Sequence, residues 1–149
     1  MLFCSIENCS NENHYCWNGG NTEIRKYLHI KMIDWKKSSM KSCNYKCVIT
    51  GDCFDDIHHL YGFDQILAET LEITGLEPKT IGEYTQEELD YLVSICSDLH
   101  KKYGNGVCLR GDIHSLFHHE YLYGQNTPQQ FLEFKQRYLA GEFNEQLSM

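Results

Sequence analysis

The chain has 149 residues, 42% of them apolar and 13% aromatic, which suits one folded domain with a real core. A formal net charge of −8 argues against a coat that binds nucleic acid without regard to sequence. No apolar stretch approaches the roughly 18 residues that a membrane helix needs, so no membrane partner is expected.

The charge is unevenly placed. Residues 23–50 carry seven Lys/Arg against Glu23 and Asp34, whereas residues 51–100 carry twelve acids against Lys79 alone. The start, Met-Leu-Phe-Cys-Ser-Ile-Glu-Asn-Cys, lacks the charged opening and apolar run of a signal peptide. Reduced thiols in a cytoplasm are therefore expected for the eight cysteines, with disulfides the minority reading.

In chain order, residues 1–22 read as a polar leader containing Cys4, Cys9, His14 and Cys16. These four could form a zinc knuckle, but their spacing is looser than a paired C-x₂-C pattern, and ordinary free cysteines are the alternative. Residues 23–45 read as a basic helix and linker. Ile24, Leu28, Met32 and Trp35 recur at helical spacing over 23–37, with Arg25, Lys26, Lys31, Lys36 and Lys37 on other faces. That basic face is either plain solvated surface or a contact for phosphates. Lys46 to Thr50 and Phe54 to Leu60 look extended. Residues 63–73 suggest a helix, broken by Gly75 and Pro78. Thr85 and Glu88 form a capping box that opens a helix ending at Lys101-Lys102 before Gly104. Val107 to Leu109 is a short strand candidate, Asp112 is expected to cap a helix over Ile113–Tyr121, and Thr127-Pro128 opens a last helix.

Five of the eight histidines fall in two short clusters, His58-His59 and His114, His118, His119. Neighbours on an extended segment point to opposite sides, so a His-His pair serves two surroundings. Histidines four apart on a helix share a face, and His114 with His118 thus offers two imidazoles to one ion. Two ligands bind weakly; a third from His58 or His59 would complete a catalytic metal site.

The pieces CVITG at 47–51, DDIHHLYGF at 55–63 and NGVCLRGDIHSLFH at 105–118 resemble the HNH endonucleases, above all those of phages and homing elements. Asn105, Leu109, His114 and His118 stand in the family order without a gap, and YGQNTPQQFLEF at 123–134 is similar to the tail of phage members. The resemblance covers roughly residues 45–143. It implies an α+β fold: a ββα-metal (His-Me finger) core at 46–143 with a helical insertion at about 63–103, flanking N- and C-terminal helices, and a tail at 144–149. It also implies that His58, His114 and His118 bind one divalent metal, that His59 is the general base, and that Asn105 braces the loop and orients the base. Arg110 is a candidate phosphate contact or a plain surface arginine, and His119 a bystander. Many members add a structural zinc on two C-x₂-C pairs. Here only Cys47 survives of the first pair, with Thr50 opposite, and Arg110 and Ile113 occupy the second, so that zinc is not expected.

The implied activity is hydrolysis of DNA phosphodiesters to 5′-phosphate and 3′-hydroxyl ends in the cytoplasm, or a host's cytoplasm for a phage-encoded chain. Three imidazoles favour a transition ion such as Zn or Ni, although the family often uses Mg or Mn. One such site cuts one strand, so double-strand cleavage implies a homodimer or two visits. The rivals are a non-catalytic zinc module, closed by a cysteine such as Cys108, that binds nucleic acid or protein, and an inactive structural derivative.

Overall fold

A computed structural model describes residues 20–144, with side chains from Glu23 onward; Cys4, Cys9, His14 and Cys16 lie outside the described residues. The chain is α+β and dominated by helix. In order come α1 (Gly20–Lys31), α2 (Ile33–Ser42), β1 (Asp56–His58), α3 (Phe63–Thr74), a 3-10 turn (Ile81–Glu83), α4 (Gln86–Tyr103), β2 (Val107–Leu109), α5 (Gly111–Tyr121) and α6 (Pro128–Leu139).

The strands β1 and β2 pair antiparallel, with Asp56 opposite Leu109, Ile57 opposite Cys108 and His58 opposite Val107. Because side chains alternate along a strand and cross-strand partners share a side, Ile57 and Cys108 occupy one face, and Asp56, His58, Val107 and Leu109 the other. Two such short strands are stable only because both faces are covered. On the Cys108 face lies α2: Ser39 Oγ accepts from Gly106 N–H, and the Trp35 indole N–H donates to Gly104 O at 3.0 Å. Gly106 has no room for a side chain, since a Cβ would stand 2.7 Å from the Trp35 ring and 2.5 Å from His58 O. On the His58 face lie α5 and α6, with a buried core that includes Leu109, Ile113, Phe117, Phe131 and Phe134.

The segment between the strands builds its own core instead of leaning on the hairpin. Phe63, Ile66 and Leu67 of α3 and Leu89, Leu92, Cys96 and Leu99 of α4 bury themselves against Ile24 and Leu28 of α1 and against Met32 just beyond it. Its two ends are stapled together. The Tyr61 and Tyr103 rings stack at 3.9 Å, and both hydroxyls donate to the Glu69 carboxylate. At the head of α4 the Thr85–Glu88 capping box forms as expected, and the Thr127–Gln130 pair does the same for α6.

Three local expectations are corrected. The helix over 23–37 is two helices, interrupted at Met32 (φ −86°, ψ 45°). The break lets Ile24 and Leu28 face the insertion while Trp35 turns to the hairpin. Lys46–Thr50 is not a strand. Cys47 N–H donates to Asp52 O and Gly51 N–H to Cys47 O, closing a tight turn, and only Val48 N–H reaches β2, at Cys108 O. The turn wraps the Cys47 thiol: burial pushes its pKa up, but hydrogen bonds from Thr50 and from the Arg110 and Ile49 backbone outweigh this and hold it below the usual value. Finally, Asp112 is not the cap of α5. That helix begins at Gly111, whose N–H donates to Asp55 Oδ2 at 2.7 Å, so a carboxylate from ahead of β1 anchors its positive end. No helix among the described residues is long and apolar enough to cross a membrane.

Candidate metal centre

The pleat of β1 sends His58 toward α5, where the edge of Phe117 packs on its ring and burial is nearly complete. The spacing of four brings His114 and His118 onto the helix face opposite. Ring centroids are 5.3 Å apart for His58–His114, 5.4 Å for His58–His118 and 4.7 Å for His114–His118. One ligand atom from each of the three lies within 4.8 Å of the others.

The inward nitrogens of the cluster lack hydrogen-bond donors. His118 Nδ1 is 2.7 Å from Leu122 O, and a carbonyl only accepts, so Nδ1 carries the proton. His114 Nδ1 is 3.1 Å from Asp56 Oδ2, and the carboxylate likewise accepts. Each ring has thus spent its proton outward, leaving two bare Nε2 lone pairs facing one another at 3.1 Å. Beside them His58 Nε2 is buried without any hydrogen-bond partner. A second proton is a poor remedy. Burial and the neighbouring imidazoles hold His58 well below its ordinary pKa, and burial pulls His118 down to about 4 against the opposing pull of the Leu122 carbonyl. A metal cation among the three would take one nitrogen from each ring, and the Leu122 and Asp56 contacts are the outer partners that metal-bound imidazoles commonly have. The three histidines therefore fit a metal.

His59 belongs to a different neighbourhood. On the opposite face of the hairpin it stacks on Trp35 at 4.1 Å, meets Phe63 edge-on, and lies 5.8 Å from His29, ring centroid to centroid. Its Nε2 is 3.1 Å from His100 Nε2. His100 Nδ1 donates to Cys96 O at 2.8 Å, so His100 Nε2 is the acceptor and His59 Nε2–H the donor. The free lone pair of His59 is then on Nδ1. Burial, followed by the charges of His29 and His100, keeps His59 well below its usual pKa and hence neutral.

The side chains of Asn105, Arg110 and His119 share no hydrogen bond or ion pair with either cluster among the described residues. Asn105 is exposed, and its side chain makes no hydrogen bond among the described residues. Arg110 is held by carboxylates on two sides, with Nε and Nη2 on Asp112 and Nη1 on Asp52. Its charge is largely answered within the chain. His119 is exposed beside Glu120. Cys108 cannot close the three-histidine site, because the register puts it on the far face, where Cys43 Sγ meets its own N–H. Sequence reasoning missed His29, His100, Asp55, Leu122 and Asn126. His29, His100 and Asp55 gain their roles from partners distant in sequence, whereas Leu122 and Asn126 have partners four residues away but depend on a backbone shape at Leu122 that no residue pattern marks.

No protein-family model, no curated protein and no solved structure matches this chain.

Proposed function

We propose that the chain is a metal-dependent endonuclease of the HNH type, cutting DNA to leave 5′-phosphate and 3′-hydroxyl ends. The observation that carries the reading is the unmet demand for a cation at His58, His114 and His118, placed on a strand, strand, helix unit in the order that the sequence resemblance implies. A divalent ion held by these three imidazoles supplies Lewis acidity at a scissile phosphate. Imidazole donors favour a transition ion such as Zn or Ni, with Mn or Mg as weaker occupants.

The chain's own groups supply the rest. Asp56 and Leu122 O orient His114 and His118. His59, neutral and with its Nε2 proton committed to His100, keeps a free lone pair on Nδ1 for taking a proton from water, although it stands on the hairpin face away from the three histidines. Lys26, Lys31, Lys37, Lys41 and Lys46 are exposed and form no ion pair among the described residues, so they can meet phosphates without specifying sequence.

One observation favours a second reading, a metal-stabilised module without catalysis: His59 is wedged between Trp35 and Phe63 with one nitrogen engaged. Supercoiled plasmid incubated with the wild type and His59→Ala, across Mg²⁺, Mn²⁺, Zn²⁺, Ni²⁺ and EDTA, separates the two. Metal-dependent nicking that disappears in the variant supports the nuclease. Tight metal binding with intact plasmid under every ion supports the module.

A further inference from the structure

We infer that Asn126 is a positioning residue for the metal centre, acting through the backbone carbonyl of Leu122; this rests on the three-histidine site but not on any reaction at it. The carbonyl that fixes His118 belongs to a residue in a conformation it would not choose. Leu122, one position beyond α5, has φ 65° and ψ −173°, a region essentially confined to glycine. Only surrounding contacts hold a leucine there.

Those contacts converge on Asn126, which is 3% exposed. Its Nδ2 donates to Leu122 O at 3.1 Å and lies 3.4 Å from Tyr121 O and 3.1 Å from Gln130 Oε1. Gln130 is itself part of the capping box of α6, so the amide is braced from the head of that helix. The main chain of Asn126 is tied as firmly: its carbonyl accepts from Gly62 N–H at 2.9 Å, just past the histidine pair. Gly62 is pressed so close that an added Cβ would stand 2.2 Å from Gly124 O. The Tyr123 ring lies flat on His118 at 4.0 Å and 9°, closing the outer side.

The consequence for His118 is a choice of tautomer. With Leu122 O in place, the imidazole proton stays on Nδ1 and Nε2 presents its lone pair to His58 and His114. Release of the clamp lets Leu122 relax into an ordinary region and carries the carbonyl away. His118 is then free to hold its proton on Nε2, where it blocks a metal.

The test is metal affinity, measured by Zn²⁺ and Co²⁺ titration of the full chain without DNA. Asn126→Asp keeps size and turns a donor into an acceptor facing Leu122 O; Asn126→Ala removes the donor. Both should bind metal about 10- to 100-fold more weakly than the wild type, and values within about threefold in folded variants would overturn the inference. Adding Leu122→Gly to Asn126→Ala should recover part of the loss, because glycine takes this backbone shape unaided; a purely structural Asn126 predicts no recovery. If the Asn126 variants fail to fold, ¹⁵N NMR of the metal-free wild type still decides. A proton on His118 Nδ1 supports the clamp, and one on Nε2 overturns it. Metal binding with these effects but no DNA cleavage defeats the nuclease reading alone, whereas a wild type that binds no metal defeats both.

Discussion

On one face of the hairpin His114 and His118 approach Nε2 to Nε2 at 3.1 Å, and on the other His59 and His100 approach at the same distance. The separations match but the bonding does not. His114 and His118 have both given their protons outward, to Asp56 and Leu122, so the contact between them is lone pair against lone pair. His100 has given its proton to Cys96 O while His59 keeps one to donate, so that contact is an ordinary hydrogen bond. The first pair has a third buried nitrogen beside it with nothing to bond; the second has Trp35 and Phe63. An imidazole pair is thus read by where its other two nitrogens point, and only one pair asks for an ion.

The sharpest way to break this contrast is to remove one ring from each side. His114→Ala should lower Zn²⁺ affinity by at least about 100-fold, as expected when a site falls from three protein ligands to two, whereas His100→Phe should leave it unchanged. Equal losses in a calorimetric titration would show that the two clusters are not independent. Metal should also stabilise the protein. At 100 times the dissociation constant the gain is about 2.7 kcal/mol, readable as a rise in Tm, and at the same metal concentration it falls to about 0.4 kcal/mol or less in His114→Ala.

Acid should reach both clusters in the metal-free protein. A histidine depressed in the folded state is neutral in both states above pH 6.5. Below it the unfolded chain takes protons that the folded chain refuses, so stability falls as pH drops toward the folded value. For His118, with a folded value of about 4, the loss between pH 6.5 and 4 is roughly 3 kcal/mol. His29, pulled to about 3 by burial and then by Lys36 and Arg25, adds in the same direction. Denaturant midpoints that stay flat over this window would contradict the buried, neutral state of these rings.

Smaller effects sharpen the picture. His100→Phe strands the His59 Nε2–H and should cost about 1–3 kcal/mol in chemical denaturation. Arg110→Ala touches neither cluster, and its exposed carboxylate partners make a change beyond about 1 kcal/mol unexpected.

The three-histidine cluster was legible because helical spacing links His114 to His118 and strand alternation separates His58 from His59. Capping at Thr85 and Thr127 was legible for a similar reason, since both partners lie within four residues. Where the sequence misled, the deciding partner was remote. Nothing between Glu23 and Lys37 announces the break at Met32, because no Gly or Pro marks it and only the two different surfaces facing Leu28 and Trp35 require it. Val48-Ile49-Thr50 has strand composition, yet the chain there curls around the Cys47 sulfur. Asp112 looked like a cap, but Asp55 reaches the helix end first and Asp112 turns to Arg110. His100 was one lone histidine in an amphipathic helix until folding placed it against His59.

The staple of Tyr61, Tyr103 and Glu69 bears on the order in which this molecule assembles. Contacts between α3 and α4 are close in sequence, whereas β1 and β2 must find each other across the whole intervening lobe. Once the helical pair has formed and its ends are pinned, the loop left to close between the strands is only a few residues, and the entropy of joining them drops accordingly. Helical signal should therefore rise before strand pairing in a refolding experiment, with competence to bind metal arriving last, since it needs both strand and helix in register.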